Sequence, residues 1–470
     1  VTAACSQLRF DPAPSGWKAL IRPGTVPAFA RTFRTQMGLP ADGPLILSGH
    51  QAELWHPGIL AKHLAAAALA TKVGGAAAWL VVDHDVPHEI VLRSPARDAE
   101  GQLVRKKLPL LNDADAARAT GWIAPLAPAA WSAADAALPT LAARLEAIRA
   151  ALDAAKGEKN CAAQVTAATQ RLLPPGVPPL SPVFATRLRQ TDLFRAAVRA
   201  MSRDPAGAIA SYNDAARGAP DAELRPLDAA KGELPLWRID ARGTRKRVLA
   251  PELTGDTKGG AISDDAAFDS LMPRALLMTA LLRLAGCDLF VHGAGGFVYD
   301  RAMEQWHRTW LGKALEPVTG GSGGGSGGGM LAPMVLASAT LRLPLEAKGV
   351  PEPGAIRAAL WRAHHARHDP ADPLASDAAA ATKKRELLAM IKERKQRGES
   401  PAAEFRALQD VLDAYRRRHA EALERLSHEA TALRAQSAQA SVIDDRTWSF
   451  SLHEPAAIGA LHDAVRVAIC

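Results

Sequence analysis

Cysteine is scarce in this chain. Four occur in 470 residues, at Cys5, Cys161, Cys287 and Cys470. They are too widely spread for a metal knuckle or a CxxC pair, and a disulfide framework is not expected in a chain of this size. Long apolar runs are missing too: no stretch of about eighteen uncharged apolar residues is present, so no membrane span is expected. The opening residues, VTAACSQLRFDPAPSG, lack a basic region followed by an apolar stretch. Secretion is therefore not expected, and the cytoplasm is the default location. No interleaved basic and aromatic array occurs. The net charge of +8 is modest over this length and suits anionic small ligands as readily as nucleic acid, which is not expected as a partner. A Walker A lysine motif is also missing, which disfavours a P-loop.

What is present is ordinary for a soluble globular protein, with 48% hydrophobic and 23% charged residues. The length is enough for more than one domain. The organising stretch is 45–92, LILSGHQAELWHPGILAKHLAAAALATKVGGAAAWLVVDHDVPHEIVL. Leu45–Ser48 reads as a short strand ending in a turn at Gly49, Trp55–Ala70 as a helix with Pro57 in its first turn, and Ala76–Val82 as a second strand. That strand stops at Asp83-His84-Asp85. A βαβ unit with polar residues at the carboxyl ends of both strands is where open α/β sheets hold ligands.

Around this unit the pattern predicts a strand at Leu8–Phe10 and helices over 29–37, 133–173 (interrupted near Gly157) and 192–201, the last capped by Thr191. A further helix over 206–216 is expected to expose Tyr212 and Asn213. A basic hairpin is expected from Leu234–Ile239 and Arg247–Ala250. Near 287–310 the strand–glycine turn–helix pattern recurs. Cys287–Val291 is a strand, His292-Gly293-Ala294-Gly295-Gly296 a glycine-rich turn, and Tyr299 starts a helix. Residues 319–330, TGGSGGGSGGGM, have the composition of a flexible linker, engineered or natural, and are assigned no chemistry.

From about 352 long helices dominate: 355–368, 383–397 and 402–438. The last is on the order of 55 Å if continuous, and its intermittent apolar seam predicts a helical hairpin or coiled coil. The final 441–470 segment is expected to regain strand and helix and dock on the core. The domains are therefore a core over 1–360 with a helical insertion at about 133–220, an arm over 361–440 and a returning tail. The fold class is α/β, a parallel-sheet core with helical connecting segments and a C-terminal antiparallel helical arm.

Three clusters carry candidate chemistry. His50 and His56 flank a turn-to-helix junction, with Gln51 between them and Lys62 further along. Imidazoles and free N–H groups at a helix start can hold anionic oxygens; the structural alternative is a packed His56 and a merely polar His50. Asp83, His84 and Asp85 can orient an amine, act as a base or hold Mg²⁺; the alternative is capping of the following turn. His292, Gly293, Gly295 and Gly296, with Tyr299 beyond, let a backbone approach a nucleotide closely, although glycine also serves tight packing. No metal ligand set is assigned.

SGHQAELWHPGILAKHL, then WLVVDHD, then DLFVHGAGGFVYD, and the long helices before a short tail, together resemble the BshC family, the cysteine-adding enzymes of bacillithiol biosynthesis. The chain resembles a divergent member over most of its length. The resemblance implies a Rossmann-like core, a coiled-coil arm that supports a homodimer, and a ligase that joins cysteine to the amine of glucosaminyl malate, with nucleotide bound to the core. Carried onto this sequence, it covers Ser48-Gly49-His50-Gln51, Pro57 and Lys62, Asp83-His84-Asp85, and His292, Gly293, Gly295, Gly296 and Tyr299. It implies ATP or ADP as cofactor, with Mg²⁺ accompanying the nucleotide. In this scheme His50, His56 and Lys62 steady phosphoryl oxygens, Asp83 or Asp85 orients the amine, and His84 removes its proton. The competing readings are nucleotidyl or phosphoryl transfer to another metabolite, and a non-catalytic, nucleotide-binding assembly protein.

Overall fold

The computed structural model describes residues 7–21, 24–87, 91–110, 115–127, 139–254, 268–320, 329–345 and 353–470. The chain divides into two units. One comprises Val1–Ser94, Lys106–Leu343 and Arg446–Cys470, and the other Pro95–Arg105 with Pro344–Asp445. The arm thus begins earlier than the expected 361 and takes in 95–105.

In the first unit the strands are β1 (Gln7–Asp11), β2 (Leu45–Gln51) and β3 (Ala76–Val82), then β4 (Val91–Arg97) and β5 (Leu103–Pro109), whose outer ends belong to the second unit. They continue as β6 (Ser181–Phe184), β7 (Glu233–Ile239), β8 (Arg245–Leu249), β9 (Leu271–Pro273), β10 (Leu289–His292) and β11 (Met334–Thr340). Six of these form the central sheet in the order β1-β11-β10-β2-β3-β6. β11, β10, β2, β3 and β6 run parallel, and β1 closes the edge antiparallel to β11. The fold is mixed α/β about this sheet. β7, β8 and β9 make a separate antiparallel sheet.

Alternation along the strands builds two cores. Leu45, Leu47, Ala78, Leu80 and Phe290 join one, and Ile46, Trp79, Val81, Leu289 and Val291 join the other, because successive strand residues face opposite sides. Each face is covered by helices, which explains why the strands read as near-continuous apolar runs. The helices are α1 (Ala28–Met37), α2 (Pro57–Val73), α3 (Pro139–Ala154), α4 (Cys161–Arg171), α5 (Asp192–Arg203), α6 (Pro205–Gly218), α7 (Ala275–Leu281), α8 (Ala294–Trp306) and α9 (Gly312–Thr319). α2 starts at Pro57, as its missing N–H permits, and Thr191 Oγ1 caps α5 by accepting from Phe194 N at 3.2 Å. Tyr212 and Asn213 are buried in α6 instead of forming an exposed tip, since Asn213 exchanges two hydrogen bonds with the Leu227 backbone.

In the second unit four helices pack together: α10 (Pro353–Ala366), α11 (Ala378–Gln396), α12 (Ala402–Arg418) and α13 (Ala420–Ile443). The expected continuous helix over 402–438 is broken at His419, whose backbone leaves helical values. α10 packs on α13 and α11 on α12. The 95–105 segment joins this unit because Leu103 N–H donates to Gln439 Oε1 at 3.2 Å and Arg105 pairs with Asp445 at 2.7 Å. The tail returns to the first unit as α14 (Pro455–Ile469), which packs on α2. It has no strand among its described residues, so only the helical half of that expectation holds. Most of the 319–330 linker lies outside the described residues. Among the described residues no helix is long and apolar enough to cross a membrane, and Cys161, Cys287 and Cys470 are free thiols.

Candidate functional site

β2 and β10 lie side by side, and the chain order reverses between them: β3 and β6 follow on one side, β11 on the other. Loops leaving two parallel strands at such a reversal diverge to opposite faces and open a crevice. A cavity of about 430 Å³ lies there. It gathers Gly49, His50, Gln51, His56 and Lys62 from β2 and α2, and His292, Gly293, Gly295, Gly296 and Tyr299 from β10 and α8. Two clusters some 240 positions apart in the sequence are thereby brought to one cavity.

Local reasons differ from those the sequence suggested. Gly49 is a strand residue and not a turn. A side chain there would stand 2.4 Å from the Leu80 carbonyl oxygen and 2.5 Å from Leu80 Cβ, so glycine is needed for the close pairing of β2 with β3. His56 is the N-cap of α2, with Nδ1 accepting from Gly58 N at 3.0 Å. Burial, aided by the charge of His50, pushes its imidazole down to about 4, so it is a neutral acceptor at that atom. His50 donates from Nε2 to Glu53 at 2.9 Å. Burial and then the Lys62 charge hold His50 below its usual range. Lys62, 7% exposed, donates to the Gly49 carbonyl at 2.7 Å, and burial pushes its ammonium down to about 8.

The glycine-rich segment is not a loop before a helix at Tyr299. Gly293 is the N-cap of α8 and Gly295 and Gly296 lie in its first turn, so the start of that helix opens onto the cavity. Tyr299 lies one turn further in, and burial raises its phenol above the usual range.

The acidic triplet goes elsewhere. Asp83 is buried and accepts from Thr186 N at 2.9 Å and Thr186 Oγ1 at 2.7 Å, and burial raises its carboxyl. It fastens the end of β3 to the segment after β6. His84 is buried and bonds the Pro273 backbone of β9, and burial lowers its imidazole. Neither lines the cavity. Asp85 lines a neighbouring cavity of about 580 Å³ with His50, Gln51 and Glu53, and is engaged by Arg245. The roles expected of Asp83 and His84 at the ligand are therefore corrected, for a structural reason: residues from 186 and 273 cover the strand end.

Sequence reasoning overlooked Arg446, which reaches the same cavity from the tail, and undervalued Asp300, which is buried beside His292 at 3.1 Å. An acidic residue eight positions beyond a strand-end histidine is a signal only once a helix start between them is recognised. Among the described residues no group of three His, Cys, Asp or Glu side chains could hold a metal ion. Compared with known protein families and with curated proteins, the chain matches no family model and no curated protein.

Proposed function

We propose that the cavity at the head of β2 and β10 binds the phosphates of ATP, and that the protein is an ATP-dependent amide ligase joining a cysteine-like amino acid to the amine of an aminosugar conjugate. The observation that carries the phosphate reading is convergence. The first turn of α8, the buried Lys62 ammonium and Arg446 meet in one cavity at the reversal of strand order, and a helix start with nearby cations suits anionic oxygen. The parallel run of strands with its one reversal supports a doubly wound, Rossmann-like reading of the core, in keeping with the family the sequence resembles. The amide-forming chemistry rests on that resemblance.

In this proposal ATP supplies the activating group for the amino-acid carboxylate. Lys62 and Arg446 steady phosphoryl charge as it develops, the N–H groups opening α8 donate to phosphate, and His50, held by Glu53, donates at the rim. Mg²⁺ would enter with the nucleotide, since among the described residues no acidic cluster could hold it independently. The adjoining cavity beside Gln51 and Asp85 offers room for the second substrate. The helical arm is proposed to join two copies of the chain; its exposed Trp361, Leu374 and Met390 are apolar surface for such a contact.

The test is calorimetric titration with ATP, followed by mass spectrometry of reactions containing ATP, cysteine and a panel of aminosugars. An amide product with release of AMP or ADP supports the ligase. A phosphorylated or adenylylated metabolite without amide would instead favour group transfer, a reading helped by the withdrawal of Asp83 and His84 from the cavity. No ATP binding would sink both.

A further inference from the structure

We infer that His292 is the proton acceptor of this cavity, through Nδ1, and that Asp300 is the residue that positions it while Gly296 keeps that nitrogen open. The inference rests on the amide-forming reading and replaces the role first given to His84.

The geometry runs through a buried chain of groups. His292 Nε2 lies 3.1 Å from Asp300 Oδ2, which also receives Arg283 Nη1 at 2.9 Å. Arg283 is anchored by Nε to the Ala332 carbonyl at 2.9 Å and by Nη2 to Glu304 at 2.6 Å. Asp300 is fully buried. Burial opposes its ionisation, but the hydrogen bonds from His292 and Arg283 and the charge of the Arg283 guanidinium hold it below the usual carboxylate range. An ionised carboxylate only accepts, so in the neutral ring Nε2 carries the proton and Nδ1 keeps the lone pair.

Two observations point to use and not to structure alone. Asp300 Oδ1 is buried with no partner among the described residues, which leaves an acceptor free beside the His292 pair at the cavity wall. And a Cβ on residue 296 would fall 2.2 Å from His292 Nδ1 and 2.6 Å from Cε1. Any side chain there would cover the nitrogen or displace the ring. Gly295, its neighbour in the same turn, has open space around it, so the requirement is specific to the position facing the imidazole.

In the reaction, the amine nitrogen forms a bond to the activated acyl carbon as the bond from that carbon to the phosphoryl oxygen breaks. The leaving phosphate or AMP keeps that electron pair, and the amine's surplus proton passes to Nδ1. The imidazolium so formed is stabilised by Asp300 and returns its proton to solvent.

The test begins with the full-length wild-type chain carrying ¹⁵N-histidine, with the His292 signals identified by their loss in His292→Gln. Long-range proton–nitrogen correlation should show a protonated Nε2 and a bare Nδ1. A ring protonated on Nδ1 would overturn the inference, and this needs neither a folded Asp300 variant nor an active enzyme. Asp300→Asn should lose the fixed tautomer. In the amide-forming assay Asp300→Asn should lose about 10²-fold or more in kcat while still binding ATP, and Gly296→Ala should lose at least as much turnover. Turnover of both at the wild-type rate would also overturn it. Should ATP fail to bind the wild type, the ligase reading falls while the tautomer measurement still decides the role of Asp300.

Discussion

The Lys62 ammonium donates to the carbonyl oxygen of Gly49 across 2.7 Å, which ties the first helix after β2 to the carboxyl end of that strand in the candidate cavity. Its charge is held there at a cost, since burial pushes the ammonium down to about 8 from an ordinary 10.5. Below pH 8 the lysine is charged in both folded and unfolded chains and the cost is fully present. Between pH 8 and 10.5 the folded state releases its proton first, so stability rises with pH by up to about 3 kcal/mol. Lys62→Met, which cannot titrate, should lack this rise. Urea melts of the two proteins at pH 7.5 and pH 10 should therefore move differently, and ATP binding should be lost in the variant. Parallel pH profiles would remove the buried charge from the account.

Three histidines set the acid limb. Burial pushes His56, His63 and His453 each down to about 4. His63 lies between Trp55 and Trp79, with Nε2 on the Pro178 carbonyl at 3.1 Å. The unfolded chain takes up these protons near pH 6.5 and the folded one only near 4, so stability falls as pH falls through that window, by up to about 3 kcal/mol per group. His63→Leu should remove one proton's worth of slope, measured by denaturant titration from pH 7 to pH 4.5. An unchanged slope would show that His63 titrates normally.

Two glycines in the cavity should behave in opposite ways. Gly49→Ala presses a methyl onto the backbone of Leu80 and should cost about 1–3 kcal/mol. Gly295→Ala meets nothing within contact range in the first turn of α8 and should stabilise by about 0.5–1 kcal/mol. Thermal melts of the pair provide the check. Equal effects would mean that the approach of β2 to β3 is not what excludes a side chain at position 49.

The arm permits a control in the second unit. Tyr415 is fully buried and its hydroxyl donates to the Ala366 carbonyl at 2.8 Å. Tyr415→Phe leaves that carbonyl unpaired and should cost about 1–3 kcal/mol while ATP affinity stays at the wild-type value. Hydrogen exchange should rise in α10 and α12. A loss of ATP binding would make the arm part of the nucleotide site.

Elements whose causes are local were legible in the residues alone. Apolar runs marked β2, β3 and β10, Pro57 marked the start of α2, Thr191 capped α5, and charge-rich periodicity marked the arm. The sequence also brought out the histidine, lysine and glycine clusters that line the cavity. Which polar strand ends open onto the cavity was settled by packing between distant segments. Asp83 and His84 sit at a strand end as polar as that of β2, yet Thr186 and Pro273, distant in sequence, cover them. Likewise the reason for Gly296 is the imidazole four residues earlier, and Arg446 enters from the far end of the chain. Periodicity reports which face of an element is buried, but the partner that buries a polar group is chosen by packing between segments that no local pattern links.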